Sequence, residues 1–339
     1  DSAKMLTVTT CSSCSLTPSP PQARQIYIDL GVNWCNTVHL FEEAGANARS
    51  DMPWEVFGFE AHPLIQPYAE EMFAYLNGER SAPPLSCVPP SGSSKHLALY
   101  SELYGCPNKT TTFAMRQAVR ECFAQKLSAT LERLQANPLL NSSALVIARL
   151  ERATSPRLPL PATRFTFVPA AAGGAASANS GWIELSSASR LSAVTGGGIP
   201  QVQGATGVVN PAGGQEKFLV PVVDVPAWLR RSFSPADQVL LKVDIEGAEH
   251  ELLKDLLQDG GLQLIDKLVI ECHEPAFSMR HLASANVHFG TCRRLLQSLR
   301  QAAPSMQVVT EGAAFAGMDA RFARQLHRDT ARLREQCVA

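Results

Sequence analysis

A chain of 339 residues can bury a large core as one decorated domain or as two, and the order of its predicted elements favours one. Acidic and basic residues nearly cancel, with a formal net charge of −1, so charge gives no argument for binding nucleic acid or an anionic membrane. No apolar run approaches the roughly 18 residues that a transmembrane helix requires.

The chain is rich in cysteine and has two N-glycosylation sequons, at Asn108 and Asn141. Both features favour the secretory pathway, where disulfides persist, and the cytoplasm is the alternative. An odd number of cysteines leaves at least one thiol free or available to a protein partner. Cys11 and Cys14 form a Cys-x-x-Cys pair, but no second pair completes a zinc set, so no metal is predicted. The nine cysteines are Cys11, Cys14, Cys35, Cys87, Cys106, Cys122, Cys272, Cys292 and Cys337.

Residues 1–24 contain Ser, Thr and Pro without periodicity, and they are predicted to form an arm over a domain that begins at residue 25. A strand at 26–30, a turn at Gly31 and a helix from residue 36 or 37 to 44 follow. Such a unit presents free backbone amides and a closely approaching backbone to a nucleotide-like ligand.

A second predicted strand, at 55–60, ends in Glu60 and precedes an amphipathic helix at 64–76. A carboxylate in this place can accept hydrogen bonds from both hydroxyls of a ribose. The alternative is a surface acid that only precedes the turn at His62-Pro63.

The regular order of elements is interrupted between about residues 80 and 163. Residues 81–95 are rich in Pro and Ser, which is typical of a loop, and 111–134 has the spacing of a long helix. We interpret this block as a helical insertion that carries both sequons, and Cys87 and Cys106 could be joined within it.

Strands are predicted again at 164–168, 182–185 and 219–223, and a short helix begins at residue 225. A Gly-rich loop at 195–214 separates the second and third of these strands. This loop has no lysine and does not connect a strand to a helix, so it is not a phosphate-binding P-loop.

The most informative stretch runs from residue 239 to 257. Its first half is apolar except for Lys242, which is typical of a strand buried on both faces, and its second half has the spacing of an amphipathic helix. Asp244, Glu246 and Glu249 lie between the two, where ligands bind in an open α/β sheet. The alternative is that the glutamates only favour the positive end of the helix and that Asp244 caps it.

A further buried strand is predicted at 267–272, and Glu271, His273 and Glu274 mark its end. A helix at 291–303 and a last main strand at 306–310 complete the domain. The tail at 311–339 has a helical pattern, and its arginines are interpreted as a solvated face. Buried apolar runs that alternate with amphipathic helices predict an α/β domain over residues 25–310, with a mostly parallel sheet of seven strands and helices on both faces. The seven strands of this sheet are predicted near 26–30, 55–60, 164–168, 219–223, 239–244, 267–272 and 306–310.

Four short motifs resemble the successive motifs of the FkbM-type S-adenosylmethionine-dependent methyltransferases. They are Ile-Asp-Leu-Gly-Val-Asn at 28–33, Phe-Glu at 59–60, Leu-Lys-Val-Asp-Ile-Glu-Gly-Ala-Glu at 241–249 and Leu-Val-Ile-Glu at 268–271. The resemblance covers about residues 25–80 and 164–310, and the third motif is its most specific part.

The resemblance implies a Rossmann-like methyltransferase fold and the transfer of a methyl group from S-adenosylmethionine, usually to a hydroxyl of a sugar, a glycan or a small metabolite. By position it implies that Asp29, Gly31 and Asn33 line the methionine side of the cofactor, that Glu60 holds the ribose, and that Ala170 and Ala171 lie near the adenine.

The chain departs from the family at Cys35, where a second glycine usually follows the asparagine by two residues, and the bulky Trp34 precedes it. A side chain at this position is expected to narrow or close the pocket. The insertion has no counterpart among the motifs, so the resemblance does not imply which particular substrate accepts the methyl group.

Two functions therefore remain. In the enzyme hypothesis, which we favour, Asp244 or His273 deprotonates a hydroxyl acceptor as it attacks the sulfonium methyl, and Glu246 lies in the same crevice. In the other hypothesis the chain is a catalytically retired methyltransferase that serves as a glycoprotein binding or assembly module, with Cys35 as the mark of disuse. Activity is favoured by four acids at strand ends, Asp29, Glu60, Asp244 and Glu246.

Overall fold

A computed structural model of the protein describes most of the α/β domain predicted from the sequence. The arm up to residue 22, most of the insertion and the tail from residue 311 lie outside the described residues. So do the helix predicted at 111–134, both sequons and the Gly-rich loop. The described residues are 23–33, 35, 37–44, 52–63, 65–81, 84, 132, 143–154, 162–187, 216–274, 288 and 290–310.

The described residues form nine strands, seven α-helices and one 3-10 helix. The strands are Gln25–Leu30 (β1), Trp54–Phe59 (β2), Arg164–Val168 (β3), Ala171–Gly173 (β4), Trp182–Ser187 (β5), Glu216–Asp224 (β6), Gln238–Val243 (β7), Lys267–Ile270 (β8) and Gln307–Thr310 (β9). The α-helices are Leu40–Ala44 (α1), Gln66–Leu76 (α2), Ser143–Thr154 (α3), Ala175–Ala178 (α4), Val225–Ser232 (α5), Glu249–Gln258 (α6) and Thr291–Ala302 (α7), and the 3-10 helix is Gly261–Leu264.

Six strands form one sheet in the order β3-β2-β1-β7-β8-β9, and every neighbouring pair is parallel. The chain moves outward from β1 to β3 and then returns to the other side of β1 at β7. The strand order therefore reverses between β1 and β7, which is where ligands bind in open α/β sheets. This arrangement confirms the predicted α/β class and is Rossmann-like.

Helices cover both faces of this sheet, as a parallel sheet requires. On one face, α3, α5, α6 and α7 pack on the strands through residues such as Leu150, Trp228, Leu253 and Leu299. On the other face, α1 and α2 supply an aromatic and apolar layer. Each fully buried side chain of this size stabilises the fold by about 1.5–3 kcal/mol. Because α3 belongs to this core, the last part of the predicted insertion is integral to the domain.

The strand predicted at 219–223 exists as part of β6, but it does not join the main sheet. It lies in a second sheet of order β4-β6-β5, parallel to β4 and antiparallel to β5. The main sheet therefore has six strands among the described residues rather than the predicted seven. Leu219 is 66% exposed and Pro221 has no backbone N–H, so this strand does not suit a sheet that is buried on both faces.

The observed ends of two strands matter for the site. β2 ends at Phe59 and β7 at Val243, so Glu60 and Asp244 are each the first residue beyond a buried strand. The first helix begins at Leu40, a few residues later than predicted, because the segment before it is an irregular turn. No helix in the described part of the chain is long and apolar enough to cross a membrane.

Candidate cofactor and acceptor site

The turn after β1 requires glycine at position 31. Gly31 has a φ of +83°, and a Cβ atom on it would lie 2.0 Å from the carbonyl oxygen of Asp244. The turn therefore presses directly against the loop that follows β7. Asn33 and Cys35 also have positive φ angles, of 49° and 62°, so the chain coils tightly before α1.

A buried lysine in the neighbouring strand β7 stabilises this turn. Lys242 lies opposite Asp29 in the register of β1 and β7, and its Nζ is 3.1 Å from Asp29 Oδ1 and 3.3 Å from Asp244 Oδ2. It also donates to the carbonyl oxygen of Gly31 at 2.7 Å. Burial alone would lower the pKa of Lys242, but the two aspartates outweigh it, so the pKa is raised and the ammonium stays charged.

Asp29 is fully buried and does not reach the cleft. Its second oxygen accepts from the hydroxyl of Thr37 at 2.7 Å, and its first faces Lys242. The resemblance implied contact with the cofactor, whereas the structure places this carboxylate beneath the turn that such a cofactor would contact.

Glu60 connects the first two strand ends. Its Oε2 accepts from the backbone N–H of Asn33 at 2.9 Å and its Oε1 from that of His62 at 2.6 Å. Glu60 is only 7% exposed, which contradicts the alternative of a surface acid. Burial raises the pKa of Glu60 to about 7, although these two N–H groups and Lys242 oppose the rise. Each carboxylate oxygen keeps a second lone pair for a ligand hydroxyl.

A cleft of about 630 Å³, counting its open mouth, lies above these strand ends. Its polar side is formed by Asn33, Glu60, Asp244 and Glu246. Its apolar side is formed by Ile65, Ala171, Ala172, Ile183 and Leu185, so the second sheet contributes part of the wall.

The loop after β7 turns sharply to expose two carboxylates. Glu246 has a φ of +53° and Gly247 one of +104°, and the side chains of Asp244 and Glu246 are 21% and 26% exposed. Burial raises the pKa of Glu246, His273 opposes the rise, and Asp244 and Glu249 add to it. The N-cap of α6 is Ala248 with no side-chain cap, so the structure does not support Asp244 as its cap.

His273 follows β8 and lies beside this loop. Its Nδ1 is 2.9 Å from Glu249 Oε1, and its Nε2 is 3.6 Å from Glu246 Oε2 and 3.7 Å from Glu271 Oε1. Burial lowers the pKa of His273, but the hydrogen bond and charge of Glu249, with the charges of Glu246 and Asp244, raise it to about 9. The imidazole is therefore protonated near neutral pH.

Donor atoms of Asp244, Glu246 and His273 lie within 4.8 Å of one another, a spacing that would admit a metal ion. Lys242 and the protonated His273 already supply positive charge to these carboxylates, so the arrangement does not require a metal. A ring nitrogen of His250 and the sulfur atoms of Cys272 and Cys292 also lie within 4.8 Å of one another, but a disulfide joins these two cysteines.

The cysteines that the structure describes divide into one disulfide and one buried thiol. Cys272–Cys292 connects the end of β8 to the first turn of α7. Cys35 is free and fully buried against Tyr27 and Val38, and burial raises the pKa of its thiol. Because Cys35 packs in the core and does not line the cleft, its side chain does not close the pocket as the sequence led us to expect.

The structure brings most of the sequence-derived site residues to one place. The cleft is lined by Gly31, Asn33, Glu60, Ala171, Asp244 and Glu246. Ala170 is buried in the core beneath, and His273 lies behind Glu246. Sequence reasoning gave no role to Lys242, although a single charge in each of two apolar strands was the available signal. It also missed the wall formed by Ile183 and Leu185, which depends on the second sheet.

The fold and the cleft define an α/β protein with a parallel six-stranded sheet and a cleft at the reversal of its strand order. No family model, curated protein or solved structure matches the chain. The likeness to the FkbM-type methyltransferases therefore rests on the four sequence motifs.

Proposed function

We propose that the chain is an S-adenosylmethionine-dependent methyltransferase that acts on a hydroxyl of a sugar, glycan or other small polyhydroxylated molecule. The observation that carries this proposal is the composition of one cleft. The glycine turn and Glu60 line it together with Asp244 and Glu246. We expect the first two to hold a nucleoside-bearing cofactor and the two carboxylates that follow β7 to face a hydroxyl acceptor.

The cofactor half matches what an adenosine group needs. Glu60 can accept from two ribose hydroxyls, and Gly31 allows the backbone to approach the ligand closely. The small side chains of Ala171 and Ala172, with Ile65 and Ile183, form an apolar surface against which an adenine ring can pack. The sulfonium of the cofactor would lie towards Asp244 and Glu246, where negative charge favours a cation.

The acceptor half offers a place for the displaced proton. Bound S-adenosylmethionine would supply an electrophilic methyl group, which would form a C–O bond with the acceptor as its C–S bond breaks and the thioether leaves. The hydroxyl proton passes to a carboxylate, for which Glu246 is the best placed because burial raises its pKa and its side chain faces the cleft. His273 is protonated near neutral pH and would act as a hydrogen-bond donor beside it.

The second candidate function, a retired methyltransferase fold that binds or assembles glycoproteins, is favoured by one observation. Asp29, Glu60 and Glu249 all hold the chain's own groups, namely Lys242, two backbone amides and His273. These acids would be retained for the fold even without catalysis. The buried position of Cys35, in contrast, removes the argument that this residue marks disuse.

Calorimetric titration of the purified chain with S-adenosylmethionine separates the two functions. The unmutated chain is expected to bind, and Glu60→Ala to raise Kd roughly 10- to 150-fold, since hydrogen bonds to a charged group contribute about 1.5–3 kcal/mol. The exposed Glu79→Gln is the matched control and should leave Kd unchanged. If the folded, unmutated chain does not bind S-adenosylmethionine, the cofactor assignment is wrong and the second candidate function, a glycoprotein binding or assembly module, is favoured.

The secretory location is a separate proposal, supported by the Cys272–Cys292 disulfide and the two sequons. Mass spectrometry of the native protein, with and without reduction and glycosidase, tests it. If all nine thiols alkylate without reductant and neither Asn108 nor Asn141 is modified, the protein is cytoplasmic.

A further inference from the structure

We propose that Glu249 is a positioning residue that fixes the imidazole of His273 so that its Nε2 faces the carboxylates of the cleft. The sequence favoured two simpler roles for Glu249, a charge at a helix end or a motif acid, and neither involves His273. Any effect of this positioning on the rate of methyl transfer rests on the proposed function, whereas the orientation of the imidazole by Glu249 does not.

The geometry is that of one buried carboxylate shared by two loops. Glu249 is fully buried, and its Oε1 accepts from both the backbone N–H of His273 at 2.6 Å and its Nδ1 at 2.9 Å. Its Oε2 accepts from the backbone N–H of Gly247 at 2.8 Å. Three donors therefore connect the loop after β7, which carries Glu246, to the segment after β8.

This contact decides which ring nitrogen faces the cleft. An ionised carboxylate only accepts hydrogen bonds, so Nδ1 of His273 must carry a hydrogen when Glu249 binds it. Nε2 then points away from Glu249, towards Glu246 at 3.6 Å and Glu271 at 3.7 Å. This is the arrangement by which a carboxylate orients an imidazole and selects its tautomer at many catalytic sites.

The backbone of His273 is held from two further directions. Its carbonyl oxygen accepts from Nε2 of His250 at 2.6 Å, and the preceding residue, Cys272, is joined to Cys292 of α7. Because the backbone is fixed in this way, loss of the Glu249 carboxylate should change the charge and orientation of the ring more than the position of the chain.

The charged groups that face His273 come from every element packed around it. Glu249 belongs to α6, Asp244 and Glu246 to the loop after β7, and Glu271 to the same segment as the histidine. Glu249 is the only one of these with a hydrogen bond to the ring among the described residues. It should therefore account for most of the preference of His273 for its protonated form.

The test is nitrogen NMR of the histidine rings across a pH series, with the full chain and without any acceptor. In the unmutated chain His273 should titrate near pH 9 and show the Nδ1–H tautomer once it is neutral. Glu249→Gln should lower the titration midpoint by about 1–2 pH units, whereas Glu249→Asp, which keeps the charge, should restore part of it. Glu251→Gln is the matched control, since Glu251 lies on the same helix but binds Ser177.

A titration midpoint that is the same in the unmutated chain and in Glu249→Gln would overturn the proposal. If Glu249→Gln does not fold, the tautomer in the unmutated chain decides, because an Nε2–H tautomer of neutral His273 is incompatible with the Glu249 contact. Calorimetry with S-adenosylmethionine on the same samples keeps the two proposals apart. Glu249→Gln should change Kd less than twofold, and a chain that binds no cofactor but shows the expected titration refutes only the methyltransferase.

Discussion

The two sides of the cleft differ in what their carboxylates contact. On the side of β1 and β2, Asp29 and Glu60 are at most 7% exposed and bind Lys242 or backbone amides. On the side of β7 and β8, the side chains of Asp244 and Glu246 are 21% and 26% exposed and face the cleft. We call the first the preformed side, because its acids already hold groups of the chain, and the second the open side, because its carboxylates are partly exposed. An acid within a motif is thus evidence for chemistry only where its side chain reaches the ligand.

The largest effect is expected on the open side, at Glu246. Glu246→Gln keeps the size of the side chain but removes the proton acceptor, so the rate of methyl transfer should fall by about 10²- to 10⁴-fold. The affinity for S-adenosylmethionine should change far less, because the groups that hold the adenosine lie on the other side. The rate is measured as the formation of S-adenosylhomocysteine with a panel of sugar acceptors.

Asp244→Asn tests which of the two carboxylates accepts the proton of the acceptor hydroxyl. Asp244 also faces the cleft, but one of its oxygens is 3.3 Å from the Lys242 ammonium. We expect Asp244→Asn to slow the reaction less than Glu246→Gln. The opposite ranking would place the proton on Asp244, one of the two bases that the sequence predicted. Normal rates in both variants would exclude the open side from catalysis.

The next effect concerns the preformed side and is one of stability. Lys242→Met leaves Asp29 buried without its cation, so the free energy of unfolding should fall by about 3–5 kcal/mol. Urea unfolding measures this change, with the exposed Lys254→Met as a control that should stay within about 0.5 kcal/mol.

The double variant Asp29→Asn/Lys242→Met sharpens that measurement. It removes the uncompensated charge and should be more stable than Lys242→Met alone, since the two residues form one pair. If the double variant is as unstable as the sum of the single ones, Lys242 acts through packing and not through charge.

Much of the fold was accessible from the sequence because buried parallel strands and amphipathic helices have distinct patterns. The apolar run at β7 predicted a strand buried on both faces, and β7 lies in the interior of the sheet between β1 and β8. The strand at 219–223 has the same local pattern, and only its partners β4 and β5 determine that it leaves the main sheet. Partner choice depends on contacts distant in sequence, which a local pattern does not contain.

The site was predicted less completely, for a related reason. Sequence order identified which residues follow the strands, and six of the nine site residues predicted line the cleft. The direction of each side chain was not accessible, so Asp29 and Cys35 were expected at the ligand, although both are fully buried and neither lines the cleft. The contact between Glu249 and His273 joins residues 24 apart on different elements and leaves no local signature.

A third prediction uses pH to probe the open side. The folded pKa of His273, about 9, lies above its ordinary value of 6.5, so the folded state binds the proton more tightly than the unfolded state. The resulting stability is fully present below about pH 6.5 and is lost as the pH rises through 9. The difference corresponds to about 3 kcal/mol.

Urea unfolding at pH 6.5 and pH 9.5 measures this loss. His273→Gln should remove about 3 kcal/mol of the decrease, whereas the exposed His288→Gln should keep it. His62 titrates near pH 4, below this interval, whereas Glu60, whose pKa is about 7, loses its proton within it. Both chains carry Glu60, so the comparison with His273→Gln cancels its contribution. An identical pH dependence in His273→Gln and the unmutated chain would mean that the cluster does not hold the imidazolium.

The smallest effect is expected at Cys35, where the preformed side departs from the FkbM-type motif that the sequence resembles. Cys35→Gly restores the usual glycine and removes a side chain that is buried in the core, away from the cleft. Loss of the buried sulfur should cost about 1 kcal/mol, but the φ of +62° suits glycine better than cysteine and offsets a similar amount.

Both the melting temperature and the Kd for S-adenosylmethionine should therefore stay close to those of the unmutated chain. Cys35→Ala keeps the unfavourable φ and should be the less stable of the two variants. A tenfold or greater gain in affinity for Cys35→Gly would instead mean that the thiol obstructs the cofactor. The preformed side would then not be shaped for cofactor binding in the unmutated chain.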